Sequence, residues 1–255
     1  MIQKIKQNKF LFEELVKRDF KKKYKRTVLG MFWSMLSPLL SLLVMALVFT
    51  QFFGRDTPHY IIYLFSGNIV MSYYRESTRG GMAALTGNAN IFSKINVPKY
   101  IFVFSKNVSS LINFGLTIII YFIFVAFDGL PFHPRFLMLI VPIVCLAVMN
   151  IGIGMILSAM FVFFRDTQYL YDIFMTLLTY LSAIFYNVNR FPEKVQKLFL
   201  LNPVYVYIRY FRDIVIDGQI PSIQYHALCL FYAVFFFAVV CWFYKLFNKK
   251  FIYYV

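Results

Sequence analysis

In this chain of 255 residues, 60% are hydrophobic, 21% aromatic and only 15% charged, where ordinary soluble domains are roughly a quarter charged. That much apolar surface excludes a soluble enzyme or binding module. The net charge of +15 raises nucleic acid as a partner, but most of the Lys and Arg excess falls on one side of the apolar segments. A membrane surface of anionic lipid is the simpler partner there, and no nucleic acid is expected.

The first 32 positions carry ten Lys and Arg residues. Phe12, Val16, Phe20 and Tyr24 fall four apart with Leu11 and Leu15 beside them, while Lys17, Lys21, Lys22 and Lys25 lie on the other side. This is the pattern of an amphipathic helix lying in the membrane interface, and it serves equally well as a positive-inside anchor. A cleaved signal peptide is a poor reading, because the basic region and the apolar run that follows are both too long.

From Phe32 to Phe53 no charge occurs, and at ~1.5 Å per residue the run covers the ~30 Å hydrocarbon core of a bilayer. Further apolar stretches lie at about 60–74, 108–127, 136–164, 169–188 and 225–244. The second is the weakest, with Asn68 inside it and Arg75 and Arg79 after it. The fourth is overlong and carries Pro142, Gly152 and Gly154, so a kink or tilt is expected. The fifth holds Asp172 in its first turn. An interface position, or pairing with an arginine, suits Asp172 better than ion transport does.

Between the fifth and sixth stretches, residues 189–224 include LFLLNPVYVYI, too short to cross and too hydrophobic for a free loop. Two short helices dipping into the outer leaflet and turning at Asn202 and Pro203 satisfy both facts, as does a helix lying flat. Cys145, Cys229 and Cys241 sit in apolar runs without pairing or ligand spacing and read as small buried hydrophobes.

The fold class is therefore an all-α polytopic membrane protein. It has an interface helix at 1–31 and a transmembrane domain at 32–255, with six spans, a loop at 75–107 and a re-entrant segment at 189–224. Placing both termini in the cytoplasm puts 19 of the 26 Lys and Arg residues inside and 7 outside. No set of catalytic residues is recognisable. His59, His133 and His226 are scattered near the outer ends of spans, and no metal site is expected. GGMAALTG at 80–87 lacks the Gly-Lys-Ser/Thr ending of a phosphate loop, so any ATP is bound by another chain. The 32 Phe and 19 Tyr suit either a glycan-stacking conduit or ordinary interfaces and helix contacts.

RDFKKKYKRTVLGMFWSMLSPLL (18–40) closely resembles the entry to the first span in membrane subunits of type 2 ATP-binding cassette exporters of polysaccharides, O-antigens and teichoic acids. IFSKINVPKYIF (91–102) is similar to their first cytoplasmic loop, FFRDTQYLYDIF (163–174) to the loop between the fourth and fifth spans, and LNPVYVYIRYFRDIV (201–215) to the outer block. The resemblance covers nearly the whole chain. It implies a homodimeric permease in the bacterial cytoplasmic membrane, docked to two cytoplasmic ATPase subunits that hold ATP and Mg. The cargo would be a lipid-linked glycan polymer, and the chain itself would have no catalytic site and no cofactor.

It also implies roles for particular residues. Phe92, Lys94, Pro98 and Lys99 would sit in a groove of the ATPase, with the proline stopping a short coupling helix. Lys99 stands where the family usually has arginine, and so keeps the charge without the bidentate fork. Arg18, Lys21, Lys22, Lys23, Lys25 and Arg26 would meet a pyrophosphate or ordinary lipid headgroups. Asn202, Pro203, Tyr205, Tyr207, Arg209 and Arg212 would belong to an outer gate. Rival readings are a type 2 exporter of drugs or small lipids, an ATP-independent lipid scramblase, and a membrane-embedded acyl or glycosyl transferase.

Overall fold

The computed structural model describes residues 2–24, 27–54, 57–92, 94 and 97–247, and among these every regular element is helical. In chain order they are α1 (Ile2–Tyr24), α2 (Trp33–Phe53), α3 (Tyr60–Met82), the four-residue α4 (Ala89–Phe92), α5 (Tyr100–Phe127) and α6 (Ile140–Phe163). There follow α7 (Thr167–Leu181), the short α8 (Glu193–Phe199), α9 (Pro203–Val215) and α10 (Ile223–Phe247). Four segments are long and apolar enough to cross a bilayer: Trp33–Phe53, Tyr100–Phe127, Pro134–Phe163 and Ile223–Trp242.

The two remaining expected spans differ from these for separate reasons. The second does not stop at Tyr74, since α3 runs on through Arg75, Glu76 and Arg79 to Met82. The fifth ends at Leu181, seven residues short of Val188. At 15 residues α7 rises only ~22 Å, less than a hydrocarbon core.

Burial inverts the ranking by hydrophobicity. Of 21 residues in α2 only Ser34 and Leu42 are buried, whereas 17 of the 23 residues in α3 are. A helix facing lipid must be apolar all over its outer surface, whereas one surrounded by other helices can carry polar residues that bond across the contacts. The least apolar candidate is thus the central helix, packed by α2, α5, α6 and α9.

Glycines set how closely the helices meet. A Cβ on Gly81 of α3 would lie 2.8 Å from the Cα of Gly154 in α6, and one on Gly152 would lie 2.8 Å from the backbone of Phe236 in α10. Small residues at such crossings let backbones approach in a medium where dispersion and packing, not water exclusion, hold helices together. The fourth expected span has no helix break at these glycines. It runs unbroken over Ile140–Phe163, with Pro142 in its first turn, where a missing N–H costs no intrahelical bond.

Among the described residues the core divides into a large cluster around α3, α6 and α9, a smaller one where Leu15 of α1 meets Ala84, Leu85, Ile101, Phe102, Met155 and Val162, and a third of Ala183, Val188 and Tyr205. Cys145 and Cys229 are buried, but Cys241 is exposed on α10, in line with the lipid-like apolar surface around it.

Candidate functional site

Two polar clusters stand out, one at each end of α3. At the Met82 end, α1 is held by charge as well as by its apolar stripe. Asp19 is 8% exposed, and its Oδ1 accepts from Arg18 Nε at 3.1 Å and Nη2 at 2.9 Å. Its Oδ2 lies 3.1 Å from Lys106 Nζ on α5. Arg18 Nη2 also donates to Asn88 Oδ1 at 2.8 Å, and Asn88 Nδ2 donates to Ala84 O at 2.7 Å. A carboxylate taken out of water is tolerable because cations from two elements compensate it. The interface helix is thereby tied both to α5 and to the turn that leads into the 91–102 segment. Beside this junction, Asp19, Lys22, Glu76, Lys106 and Ser109 line a cavity of about 540 Å³.

The residues expected to couple to an ATPase take unlike positions. Lys94 is exposed and Pro98 partly buried, but Lys99 is buried, and its loss of hydration pulls its pKa below the usual lysine value. The short helix α4 covers Ala89–Phe92, and Pro98 stands just before α5, its carbonyl accepting from Ile101 N at 3.2 Å. The side chains of Phe92 and Lys23, and all of Lys25 and Arg26, lie outside the described residues. Lys21 and Lys22 are exposed. Arg18 differs from them because its guanidinium is already engaged by Asp19 and Asn88.

At the other end, the expected turn at Asn202 and Pro203 is built as a helix start. Asn202 Oδ1 accepts from Val204 N at 3.0 Å and Tyr205 N at 3.4 Å, with proline in the first helical position, the pairing favoured at N-termini. Asn202 Nδ2 donates to Leu181 O at 3.1 Å and Ser182 Oγ at 3.0 Å, tying this start to the end of α7.

One turn from the end of α9, Arg212 is 2% exposed. It donates to Ala183 O at 2.9 Å, Tyr63 O at 3.0 Å, Ile184 O at 3.1 Å and Ser66 Oγ at 3.3 Å. Its guanidinium carbon lies 3.3 Å from the centre of the Tyr63 ring. Arg212 thus satisfies two carbonyls of the segment just past the end of α7. Ala183 turns away there with φ of 50°. Gly67 makes room, since a Cβ on it would sit 2.9 Å from the Arg212 guanidinium.

Arg209 is partly buried and pairs with Asp213 at 2.7 Å and Asp217 at 3.7 Å. Burial outweighs that pairing at Asp213 and pushes its carboxyl up to about 6. Arg209, Arg212 and Asp217 line a cavity of about 290 Å³ with Thr57, His59 and Asn187. His59 pairs with Asp128 across two loops.

The tyrosines are mostly pins. Tyr207 is fully buried and donates to Cys229 O at 2.9 Å, and Tyr60 donates to Phe185 O at 2.7 Å. Tyr63 donates to Tyr186 O at 2.7 Å, and Tyr205 is buried. Within one chain this aromatic surface is core more than conduit lining. Asp172 pairs with an arginine, Arg79 at 3.3 Å. Among the described residues no three His, Cys, Asp or Glu side chains converge.

Long apolar helices around a polar-tolerant central helix, with a charged junction at one end, define a multi-pass membrane protein. The chain belongs to the ABC-2 type transporter family, whose sequence profile matches residues 11–216. It is 25% identical over 230 residues to the O-antigen export system permease protein RfbA of Myxococcus xanthus, covering 88% of this chain and 87% of that one. A permease of the same name from Klebsiella pneumoniae is 26% identical over 214 residues, 82% of each chain. The polysialic acid transport protein KpsM of Escherichia coli is 22% identical over 217 residues, 84% of each.

Sequence reading missed Asp19, Glu76 and Lys106. Asp19 is a single acid in a basic run; Glu76 and Lys106 are charges beside apolar runs, and the one signal available for them was that such charges are costly unless paired.

Proposed function

We propose that this chain is the membrane-spanning permease subunit of an ATP-driven exporter that moves a lipid-linked polysaccharide across the bacterial cytoplasmic membrane. The cargo is of the O-antigen, capsule or teichoic acid type. The observation that carries the reading is the likeness, over more than four-fifths of both chains, to permeases named for O-antigen and polysialic acid transport. In this reading two copies form the conduit, and each docks one ATPase subunit that binds ATP and Mg. α3 and α7 complete six passes per copy, the Lys- and Arg-rich end faces the cytoplasm, and α8 and α9 enter the outer leaflet as a gate held shut by Arg212.

The packing supports a route for the stroke. The segment from Ala84 to Phe102 shares one apolar cluster with Leu15 of α1 and Met155 of α6, so a push on the exposed Lys94 turn reaches the interface helix and two long helices together. Interiors packed this tightly transmit displacement instead of absorbing it.

The test is gentle purification from the native membrane followed by mass spectrometry. Stoichiometric recovery of a soluble chain carrying a Gly-x-x-x-x-Gly-Lys-Ser/Thr loop is the expected result. Repeated recovery of this chain alone, with its fold intact, would overturn the export reading and favour an ATP-independent scramblase.

A further inference from the structure

Between α2, α3 and the middle of α5 lies another cavity, of about 340 Å³, whose wall includes Trp33, Ser37, Ser41, Ser72, Glu76 and Asn113. That volume falls in the ~300–1,000 Å³ range of small-ligand sites. Asn113 Nδ2 donates to Glu76 Oε1 at 2.7 Å, which fixes one carboxylate oxygen and sets the orientation of the other. Ser37, Ser41 and Ser72 are exposed, and apart from Thr50 and Gln51 near its end the other exposed residues of α2 are apolar, among them Leu40, Leu43, Val44, Leu47 and Val48. Hydroxyls and a carboxylate turned toward hydrocarbon have nothing to bond. Their collection on one wall therefore marks a wetted path, the usual setting of polar groups inside a membrane domain.

The chemistry of this wall is specific. Among the described residues it offers an indole face, an oriented carboxylate, an amide and hydroxyls, and no cation. An anion meets hydroxyl and N–H donors here but no counter-charge among the described residues, and it faces the Glu76 carboxylate. A neutral hydroxyl-rich ring matches all of them, its C–H face on the indole and its hydroxyls donating to the carboxylate. Glu76 is also part of the neighbouring 540 Å³ cavity, where Lys22 and Lys106 supply cations, Lys106 paired there with Asp19 and Lys22 exposed.

We propose that the Trp33 cavity binds a sugar ring, with Glu76 accepting from its hydroxyls, and that the phosphate joined to that sugar lies beside Lys22 and Lys106 across the shared wall. The proposal rests on the export reading for the ligand's being a glycan phosphate. The division of labour between the cavities rests on the residues alone.

The chain has two tryptophans, so in a full-length Trp242→Phe variant Trp33 becomes the reporter. In phosphatidylcholine nanodiscs its emission is titrated with a short-prenyl pyrophosphoryl N-acetylglucosamine, then with the same prenyl pyrophosphate lacking sugar. The sugar-bearing probe should shift the emission saturably and bind about tenfold more tightly, because a site built for hydroxyls is left with unpaired polar groups when they are missing. Ser37→Ala on the exposed face of α2 should narrow that gap about fivefold while leaving the sugar-free titration unchanged, and Glu76→Gln should narrow it as far while tightening the sugar-free probe, because it removes a negative charge from the wall shared with the phosphate.

Equal binding of both probes, or a gap that neither substitution touches, overturns the site. A chain that exports with an ATPase partner yet does not discriminate the probes keeps the export reading and loses this one. A chain that discriminates them but never recovers an ATPase does the reverse.

Discussion

Arg212 and Asp213 are adjacent in sequence and both buried, yet they behave oppositely. Arg212 has carbonyl and hydroxyl acceptors, while Asp213 pairs with the partly buried Arg209 at 2.7 Å beside a second carboxylate, Asp217, and burial first of all raises its carboxyl from 3.8 to about 6. In that window the folded state binds a proton that the unfolded chain releases. Stability therefore rises as pH falls from about 6 toward 4, and the benefit is lost as pH climbs back through 6. A two-unit shift corresponds to at most roughly 3 kcal/mol. Asp213→Asn should remove this contribution, so the difference in melting temperature between variant and wild type in detergent should shrink on going from pH 7.5 to pH 5. A difference that is constant with pH would show that Asp213 titrates as an ordinary exposed carboxylate. From sequence, Arg209 and Arg212 were indistinguishable as gate residues. Their spacing places them about a turn apart on one helix, but only the carbonyls freed at the end of α7 tell which one is buried.

Among the elements, α2 was legible because its charge-free run is a direct statement about its solvent. The α9 block was legible for the complementary reason that it is too apolar for a loop and too short to cross. α3 was misjudged at its end and in its standing, since Asn68, Arg75 and Glu76 count against a lipid-facing helix but not against one enclosed by four neighbours. The glycines of the overlong fourth stretch suggested a kink or tilt, and the structure adds that they are contact sites for α3 and α10. Gly81→Ala puts a methyl 2.8 Å from the Gly154 backbone, where no side chain can swing aside, so the two helices must separate. A destabilisation of about 1–3 kcal/mol is expected, read as a lower detergent melting temperature. Gly87→Ala, with open space around its Cβ, should change little. If the two variants melt alike, the close α3–α6 crossing is not a determinant of the fold.

Across the whole molecule, the question is whether the interface helix moves with the transmembrane domain or merely lies beneath it. Both its ties are visible: the apolar one through Leu15 and Phe102, which the four-residue periodicity of 12–24 foretold, and the ionic one through Asp19 and Lys106 at 3.1 Å, which it did not, because one acid in a basic run reads as noise. Arg18 is 42% and Lys106 27% exposed at the side chain, so solvent screens part of this attraction and the tie is worth roughly 1–2 kcal/mol. Asp19→Asn should therefore leave the fold standing on its apolar cluster while letting α1 open from α5 more often, by about tenfold in hydrogen exchange across residues 10–22. In the complex with the ATPase, hydrolysis should persist while export per ATP falls. The double variant Asp19→Asn with Lys106→Met, which leaves no unpaired lysine behind, should recover part of the exchange protection. Slow exchange and full export in Asp19→Asn would mean that the apolar stripe alone couples α1 to the rest. The charge pair would then be a passenger of the fold, and the stroke would have to enter through α5.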